Sequence, residues 1–180
     1  MARQLWLLRH ADAEPHGTRE DSERRLTERG ERQARLAGEA IALMGVELEA
    51  LLSSPKERAL RTATVAAQAW SEKQRAKVEI HAPLAEGFDA RQALAVMSAL
   101  PSRPRAAGEA ALPARALLVG HEPDLSTVVA ELTGARIDLK KGGLAVVRIE
   151  GASGELMVLL RPSELALIAK SRIAASAPAP

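Results

Sequence analysis

The chain has 180 residues, of which 47% are apolar and 27% charged, and its lack of Cys excludes thiol chemistry, disulfides and Cys-ligated metal sites. Its 25 basic and 23 acidic residues nearly balance at a formal net charge of +2, so bulk charge does not indicate a nucleic-acid partner. Because no apolar run approaches the length of a membrane span, we expect a cytoplasmic protein without a membrane partner.

The first half of the chain alternates short apolar runs with helical patterns. A continuous apolar run is typical of a strand buried on both faces, and a Ser or Thr cap with Glu in the first turn is typical of a helix start. In chain order we predict a strand at residues 5–8, a polar loop at 11–26, a helix capped by Thr27 and running to about Met44, a strand at 51–53, and a helix capped by Ser54 and running to about Trp70.

The second half continues the alternation and closes with a hairpin and a helix. We predict a strand at 78–81, a helix at 89–100, a loop at 101–113, a strand at 116–120, a helix at 123–132, hairpin strands at 143–150 and 155–161, and a helix at 163–173. This order predicts a single α/β domain over residues 1–173, followed by a disordered tail at 174–180. The domain is expected to be a three-layer sandwich: a mostly parallel sheet with helices on both faces and an antiparallel edge strand.

Polar and charged side chains directly follow several of the predicted strands. Arg9 and His10 follow the first strand, Ser54 follows the second, and His121 follows a later one. In parallel sheets the functional crevice lies beyond the carboxyl ends of the strands, so these side chains should converge there. Arg58, in the first turns of the helix after the second strand, should join them.

Two arginines and two histidines at one rim indicate oxyanion chemistry. The planar fork of Arg suits the oxygens of a phosphoryl group. A neutral imidazole that is held through one ring nitrogen presents the other as a nucleophile and can accept a phosphoryl group. Taken singly, each group has a structural explanation, such as a surface ion pair, a packed imidazole or a tight turn at 120–123. Only the combination of all four side chains at one rim favours a functional site over these structural explanations.

Four linked motifs carry a family resemblance. They read LRHADAE at 8–14, LTERG at 26–30, SSPKERA at 53–59 followed by Arg61 and Thr62, and VGHEPDL at 119–125. In order and spacing they resemble the histidine phosphatase superfamily, which has the phosphoglycerate mutase-like fold, over roughly residues 4–161. The short chain and the second motif most resemble its small phosphohistidine phosphatases of the SixA type.

The resemblance implies a role for each matching residue. His10 would be the phosphate-accepting nucleophile, while Arg9, Arg58 and His121 would bind the transferring phosphoryl group. It implies no metal and no other cofactor. Ala11 stands where the family usually has glycine, and its methyl group would restrict the backbone if φ were positive there.

The general acid is left open by the sequence. Glu86 lies where larger relatives carry the carboxylate that protonates the leaving group, and it could equally be a surface carboxylate. Asp12 and Glu14, next to His10, are further candidates for proton transfer or for orienting an imidazole. His16, His81 and the Lys140–Gly143 turn match no motif. The two histidines are predicted to be structural. The turn is predicted to be solvated, with the alternative that its lysines border the pocket electrostatically.

We therefore predict a phosphatase that transfers a phosphoryl group to His10 and then to water. Protein phosphohistidine is the expected substrate class, because the short chain encodes no long insertion that would form a lid. One alternative is a small-molecule phosphomonoesterase or sugar-phosphate phosphatase that uses Glu86 as its acid. Another is a catalytically weak module that docks phosphoproteins. A mutase is least favoured, because re-donating the phosphoryl group requires a water-excluding enclosure.

Overall fold

The computed structural model describes residues 3–71, 76–101 and 113–175. Its central sheet has six strands: β1 Arg3–Arg9, β2 Ala50–Ser53, β3 Val78–Ile80, β4 Ala114–Gly120, β5 Leu144–Glu150 and β6 Ser153–Leu160. Across the sheet the order is β3-β2-β4-β1-β5-β6. The strands from β3 to β1 pair in parallel, whereas β5 and β6 pair antiparallel. The predicted, mostly parallel sheet with an antiparallel edge is confirmed.

Five helices cover the two faces of this sheet. They are α1 Glu28–Leu43, α2 Glu57–Ala67, α3 Ala90–Ala99, α4 Asp124–Thr133 and α5 Pro162–Ala175. Side chains of β1 point alternately to the two faces: Trp6 and Leu8 pack in a core with α1, α2 and α5, while Leu5 and Leu7 pack in a core with α3 and α4. Burial on both faces explains the continuous apolar run in β1 and confirms the three-layer architecture.

Side chains cap the starts of two helices, and the cap at Thr27 was predicted. The Thr27 hydroxyl accepts a hydrogen bond from the Gly30 amide at the start of α1. At the start of α3, the Asp89 carboxylate accepts from the Gln92 amide, and the Gln92 side chain accepts from the Asp89 amide. Each cap satisfies amide donors that the first turn of a helix leaves unpaired.

The start and end of α2 differ from the prediction. Ser54 is not the N-cap, because α2 begins at Glu57 after Lys56, and the Ser54 hydroxyl is used elsewhere. The helix also ends at Ala67 rather than near Trp70. Beyond it the amides of 68–70 bond to carbonyls three residues back, which tightens the chain into turns. Trp70 is nevertheless buried and donates its indole N–H to the Gly38 carbonyl over 2.9 Å.

The remaining differences lie in loops and at the end of the chain. The predicted loop 11–26 contains a 3-10 turn at Asp21–Glu23, and a second turn occupies Ala82–Ala85. Helix α5 continues to Ala175, so two alanines of the predicted tail are helical, in keeping with their high helix propensity. Most of the predicted 101–113 loop and the rest of the tail lie outside the described residues. In the part of the chain that is described, no helix is long and apolar enough to cross a bilayer.

Gly38 allows the closest approach of α1 to α2. A Cβ atom there would lie 2.2 Å from the Ala66 carbonyl oxygen and 2.6 Å from the Ala66 Cα. Although Ala is the better helix former by about 1 kcal/mol, backbone atoms cannot yield as a flexible side chain would. We expect Gly38→Ala to lower the free energy of unfolding by about 2 kcal/mol or more, measured by urea denaturation.

The exposed Arg35→Ala change on the same helix serves as the control and should shift the free energy of unfolding by no more than about 0.5 kcal/mol. Equal stability of Gly38→Ala and the unmutated protein would show that α1 and α2 do not need this contact.

Candidate active site

A cavity of about 540 Å³ opens beyond the carboxyl ends of β1, β2 and β4. Hydrogen bonds that continue past the strand ends hold its loops together: the His10 amide donates to the Gly120 carbonyl over 3.0 Å, and the Ser54 amide donates to the Val119 carbonyl over 2.9 Å. This pairing brings the His10 and His121 ring centroids to 5.1 Å. Five predicted site residues line this one cavity: Arg9, His10, Arg58, Glu86 and His121.

His10 is held through one ring nitrogen. Its Nδ1 lies 2.8 Å from the Ala11 carbonyl oxygen, an acceptor, so we assign the ring proton to Nδ1 and the lone pair to Nε2. Burial, together with the charges of the nearby Arg58 and Arg9, lowers the pKa of His10 to about 3. The imidazole is therefore neutral at pH 7 and has Nε2 available as a nucleophile.

The backbone next to His10 is tied to α2. The Ala11 amide donates to the Thr62 hydroxyl over 3.0 Å, and that hydroxyl donates to the Arg58 carbonyl over 2.6 Å. Ala11 is fully buried, and its φ is not positive, so the methyl group that replaces the family's usual glycine carries no backbone strain. The sequence pattern did not indicate the role of Thr62.

His121 is held by Ser54. Its Nε2 lies 2.8 Å from the Ser54 hydroxyl oxygen, which also accepts a hydrogen bond from the Lys56 amide over 3.2 Å. The pKa of His121 is lowered to about 3, mainly by burial and to a smaller extent by the charges of His10, Arg58 and Lys56. The other ring nitrogen, Nδ1, is buried and has no hydrogen-bond partner within the described chain. The hydroxyl that the sequence assigned to a helix cap thus orients a histidine instead.

Arg9 and Arg58 are fixed through part of their guanidinium groups. Arg9 donates through Nη1 to the Leu139 carbonyl over 2.9 Å, and Arg58 donates through Nη1 and Nη2 to the Asp21 carbonyl and carboxylate. Nε of each arginine is buried without a partner among residues that the structure describes. Arg9, Arg58 and His121 all line the one cavity, and this concentration of nitrogen groups suits a phosphoryl group or a similar oxyanion.

Asp21 is the counter-ion of this cluster, and sequence reasoning did not find it. Its carboxylate lies 3.0 Å from Lys56 Nζ, 3.2 Å from Arg58 Nη2 and 3.1 Å from Arg24 Nε. The hydrogen bond from Lys56, followed by that from Arg58, holds the pKa of Asp21 far below its usual range. The Asp21 carboxylate thus forms ion pairs with cationic groups that a bound phosphoryl group would also contact. Asp21 lies in the polar loop at 11–26, outside the four motifs, so no sequence pattern pointed to it.

The candidate acids have different surroundings. Glu86 is exposed at the edge of the cavity. Glu14 also lines the cavity, but Arg19 and the Arg25 amide bind its carboxylate and lower its pKa. Glu122, which the sequence did not single out, lines the cavity half-buried, and burial raises the pKa of its carboxyl group.

The remaining predicted positions lie at the edges. Asp12 lies outside the main cavity and pairs with Lys141 over 3.0 Å. Lys141 itself lines the cavity, although its turn was predicted to be solvated. His16 stands exposed at the rim, and His81 packs edge-on against Phe88 with centroids 6.0 Å apart. Among residues 3–71, 76–101 and 113–175, no group of three or more His, Asp or Glu side chains could hold a metal ion.

The buried histidines give stability a dependence on pH. In the unfolded chain both rings take up a proton below about pH 6.5, whereas in the folded protein the pKa of His10 and of His121 is about 3. Their contribution to stability is complete above pH 6.5 and is lost as the pH falls towards 3. By pH 5 each histidine should remove about 2 kcal/mol from the free energy of unfolding.

Urea denaturation at pH 7.5 and pH 5 would measure this loss, and comparison between variants separates it from the titration of carboxylates. We expect the loss to shrink by about 2 kcal/mol in His121→Asn and to stay unchanged in His16→Asn, whose ring is exposed. An identical loss in all three proteins would show that His121 is not buried in its neutral form.

Comparison with known proteins agrees with this geometry. The family model of the histidine phosphatase superfamily (branch 1) matches residues 5–116. The chain belongs to this superfamily. An uncharacterised protein of Picosynechococcus sp. is 31% identical over 173 residues, which cover 90% of this chain and 98% of that protein.

Solved structures of this superfamily's fold are also similar. The protein histidine phosphatase SixA complexed with tungstate superposes with a TM-score of 0.74 at 23% identity, covering 90% of this chain and 99% of that one. A protein assigned as an alpha-ribazole-5'-P phosphatase, from Escherichia coli K-12, superposes with a TM-score of 0.66 at 20% identity, covering 89% and 98%. The predicted phosphoglycerate mutase-like fold is confirmed.

Proposed function

We propose that this protein is a phosphatase that works through a phosphohistidine on His10. The observation that carries the proposal is the hydrogen bond from Nδ1 to the Ala11 carbonyl, which leaves the Nε2 lone pair free beside Arg9, Arg58 and His121. Nε2 forms a bond to phosphorus as the bond to the leaving group breaks. A water molecule then attacks phosphorus, Nε2 leaves with its electron pair, and inorganic phosphate is released.

The same cavity would stabilise the transition state of both steps. Charge spreads over the three equatorial oxygens of the transferring group, so fixed donors around it lower the barrier. Arg9 and Arg58 supply guanidinium N–H groups, and His121 supplies Nδ1 if the Ser54 hydroxyl donates to its Nε2. Within this proposal Ser54 is a positioning residue, since it acts through His121.

Protein phosphohistidine is the proposed substrate class. A leaving imidazole needs less protonation than an alkoxide, and Glu86, one candidate acid, is solvated at the edge of the cavity. Rim residues such as His16 and Lys141 are exposed, so a side chain presented by another protein can reach the cavity. The SixA neighbour, named a protein histidine phosphatase, supports the same class. A cytoplasmic location and the lack of a nucleic-acid partner remain predictions.

The direct test is rapid quenching during turnover, followed by detection of the phosphoenzyme. We expect an acid-labile, base-stable phosphoryl group on His10. Specificity constants for a phosphohistidine peptide, a phosphohistidine carrier protein, sugar phosphates and pyrophosphate would identify the substrate class. A protein that binds phosphopeptides without forming a phosphoenzyme would instead be a docking module, and the proposal would fail.

The second candidate is a phosphatase of small phosphomonoesters. The carboxyl groups of Glu86 and Glu122 favour it, as does the similarity to the E. coli protein assigned as an alpha-ribazole-5'-P phosphatase. If Glu86 is a general acid, Glu86→Gln should lower kcat/KM for a phosphomonoester by about 10²-fold or more. Under our proposal the same change alters phosphohistidine hydrolysis less than about threefold.

Glu122→Gln tests the second carboxyl group by the same pair of measurements. Glu23→Gln, on the exposed 3-10 turn outside the cavity, is the matched control. A large loss on both substrates in Glu86→Gln would favour the phosphomonoesterase.

A further inference from the structure

A second cavity of about 410 Å³ adjoins the candidate active site. Arg9 and Lys141 line both cavities and form the wall between them. The second cavity is hereafter called the basic groove, and its charged lining comprises Arg9, Asp12, Arg29, Lys140, Lys141 and Arg161. Five cations thus face one carboxylate, although the chain as a whole has a net charge of only +2.

The charges of the groove are not balanced within the molecule. The Asp12 carboxylate is bound by Lys141 over 3.0 Å and by the Thr27 hydroxyl over 2.9 Å, and Asp138 pairs with Lys140. The guanidinium groups of Arg29 and Arg161 are exposed, and neither has an ion-pair or hydrogen-bond partner in the described part of the chain. Arg29 acts on the Asp12 carboxylate, and Arg161 on the Asp138 carboxylate, only at longer range through their charges. Two cations without a direct partner in the described chain therefore border a concave surface beside the candidate nucleophile.

We propose that the basic groove binds an acidic segment of the protein substrate, next to the phosphohistidine that enters the active site. This inference rests on the proposed function and specifies its substrate. Carboxylates of Asp or Glu near the modified histidine would pair with Arg29 and Arg161. Exposed complementary charges act mainly by steering encounter, so they raise kcat/KM more than kcat and weaken with salt.

The form of the groove favours a chain of carboxylates over a second phosphate of a small metabolite. A single phosphate needs donors that converge on one point, as Arg9, Arg58 and His121 do in the main cavity. The unpaired cations of the groove instead sit on separate, exposed side chains from two elements, α1 for Arg29 and the β6–α5 junction for Arg161. Separated charges suit an extended acidic segment.

The test compares two phosphohistidine peptides that differ only in flanking residues, Asp and Glu in one, Asn and Gln in the other. In the unmutated protein we expect kcat/KM to be about tenfold higher for the acidic peptide at low salt, with the ratio approaching one in about 0.5 M salt. In the double variant Arg29→Glu with Arg161→Glu, the preference should disappear. Hydrolysis of an aryl phosphate should stay unchanged, because neither arginine belongs to the candidate catalytic cluster.

The matched control is the double variant Arg91→Glu with Arg136→Glu, which makes the same charge change at exposed positions that line neither cavity. It should retain the preference for the acidic peptide. Equal kcat/KM for both peptides in the unmutated protein would overturn the inference while leaving the phosphatase proposal intact. The inference would also be overturned if the double variant Arg29→Glu with Arg161→Glu lost activity only on a small bisphosphorylated metabolite and kept its activity on both peptides. Hydrolysis of monoesters but of neither peptide would instead reject the proposed substrate.

Discussion

Replacing His10 with Asn is expected to lower kcat/KM for any phosphorylated substrate by about 10⁴-fold or more. The Asn side-chain amide can still donate a hydrogen bond in the position of Nδ1, which bonds to the Ala11 carbonyl, so the local backbone should persist. The variant lacks Nε2, and no other group in the cavity replaces a neutral imidazole held at that point. Steady-state hydrolysis of an aryl phosphate gives the measurement, and the rapid-quench phosphoenzyme should be absent.

His16→Asn is the matched control, because it makes the same change at the rim of the same cavity on an exposed ring. It should keep activity within about threefold, since nothing in the proposed reaction passes through His16. Thermal unfolding of both variants would show that each is folded. Substantial turnover by purified, folded His10→Asn would remove His10 as the nucleophile.

Replacing Arg58 with Ala is the second change with a large expected effect. Arg58 is 4% exposed and has its buried Nε unpartnered in the described structure, so it can bind a phosphoryl oxygen away from water. Loss of a positioned donor to the transition state typically costs about 10²- to 10³-fold in rate, and an arginine on a phosphoryl group can contribute more. We expect kcat/KM to fall by about 10³-fold, with most of the loss in kcat.

Arg61→Ala is the control for this change, because Arg61 lies one turn further along α2, is exposed and pairs with Glu31 over 2.7 Å. Its activity should be close to that of the unmutated protein. Arg58→Lys should recover only part of the loss, because an ammonium keeps the charge without the planar fork. Similar activities of Arg58→Ala and Arg61→Ala would show that Arg58 does not act on the phosphoryl group.

The architecture could be predicted because burial determines it strand by strand. The apolar run of β1 is continuous since both its faces are covered, and Arg9 and His10 stand where that run stops. The carboxyl ends of parallel strands meet at one edge, so the sequence positions alone placed His10 and His121 together. The cap at Thr27 could also be predicted, because the hydroxyl accepts its hydrogen bond from the Gly30 amide, only three residues further along the chain.

Residues whose contacts span the chain could not be predicted in this way. The pattern around Ser54 fits a helix cap, but its hydroxyl binds His121, 67 positions away. Asp21 lies in a polar segment without periodicity, and it reaches Arg58 only because the 3-10 turn packs against α2. Such contacts depend on how loops fold over the sheet, and hydrophobic periodicity carries no information about them.

The ion pairs of Asp21 make anion binding in the main cavity an exchange. Although Nε of Arg58 has no partner among the described residues, an anion reaches Lys56 Nζ and Arg58 Nη2 only by displacing the carboxylate that already holds them, so its affinity reflects the difference between two anions. A carboxylate metabolite gains little from this exchange, whereas a phosphoryl dianion with three oxygens gains more. The cavity should therefore discriminate against carboxylic acids in favour of phosphoryl groups.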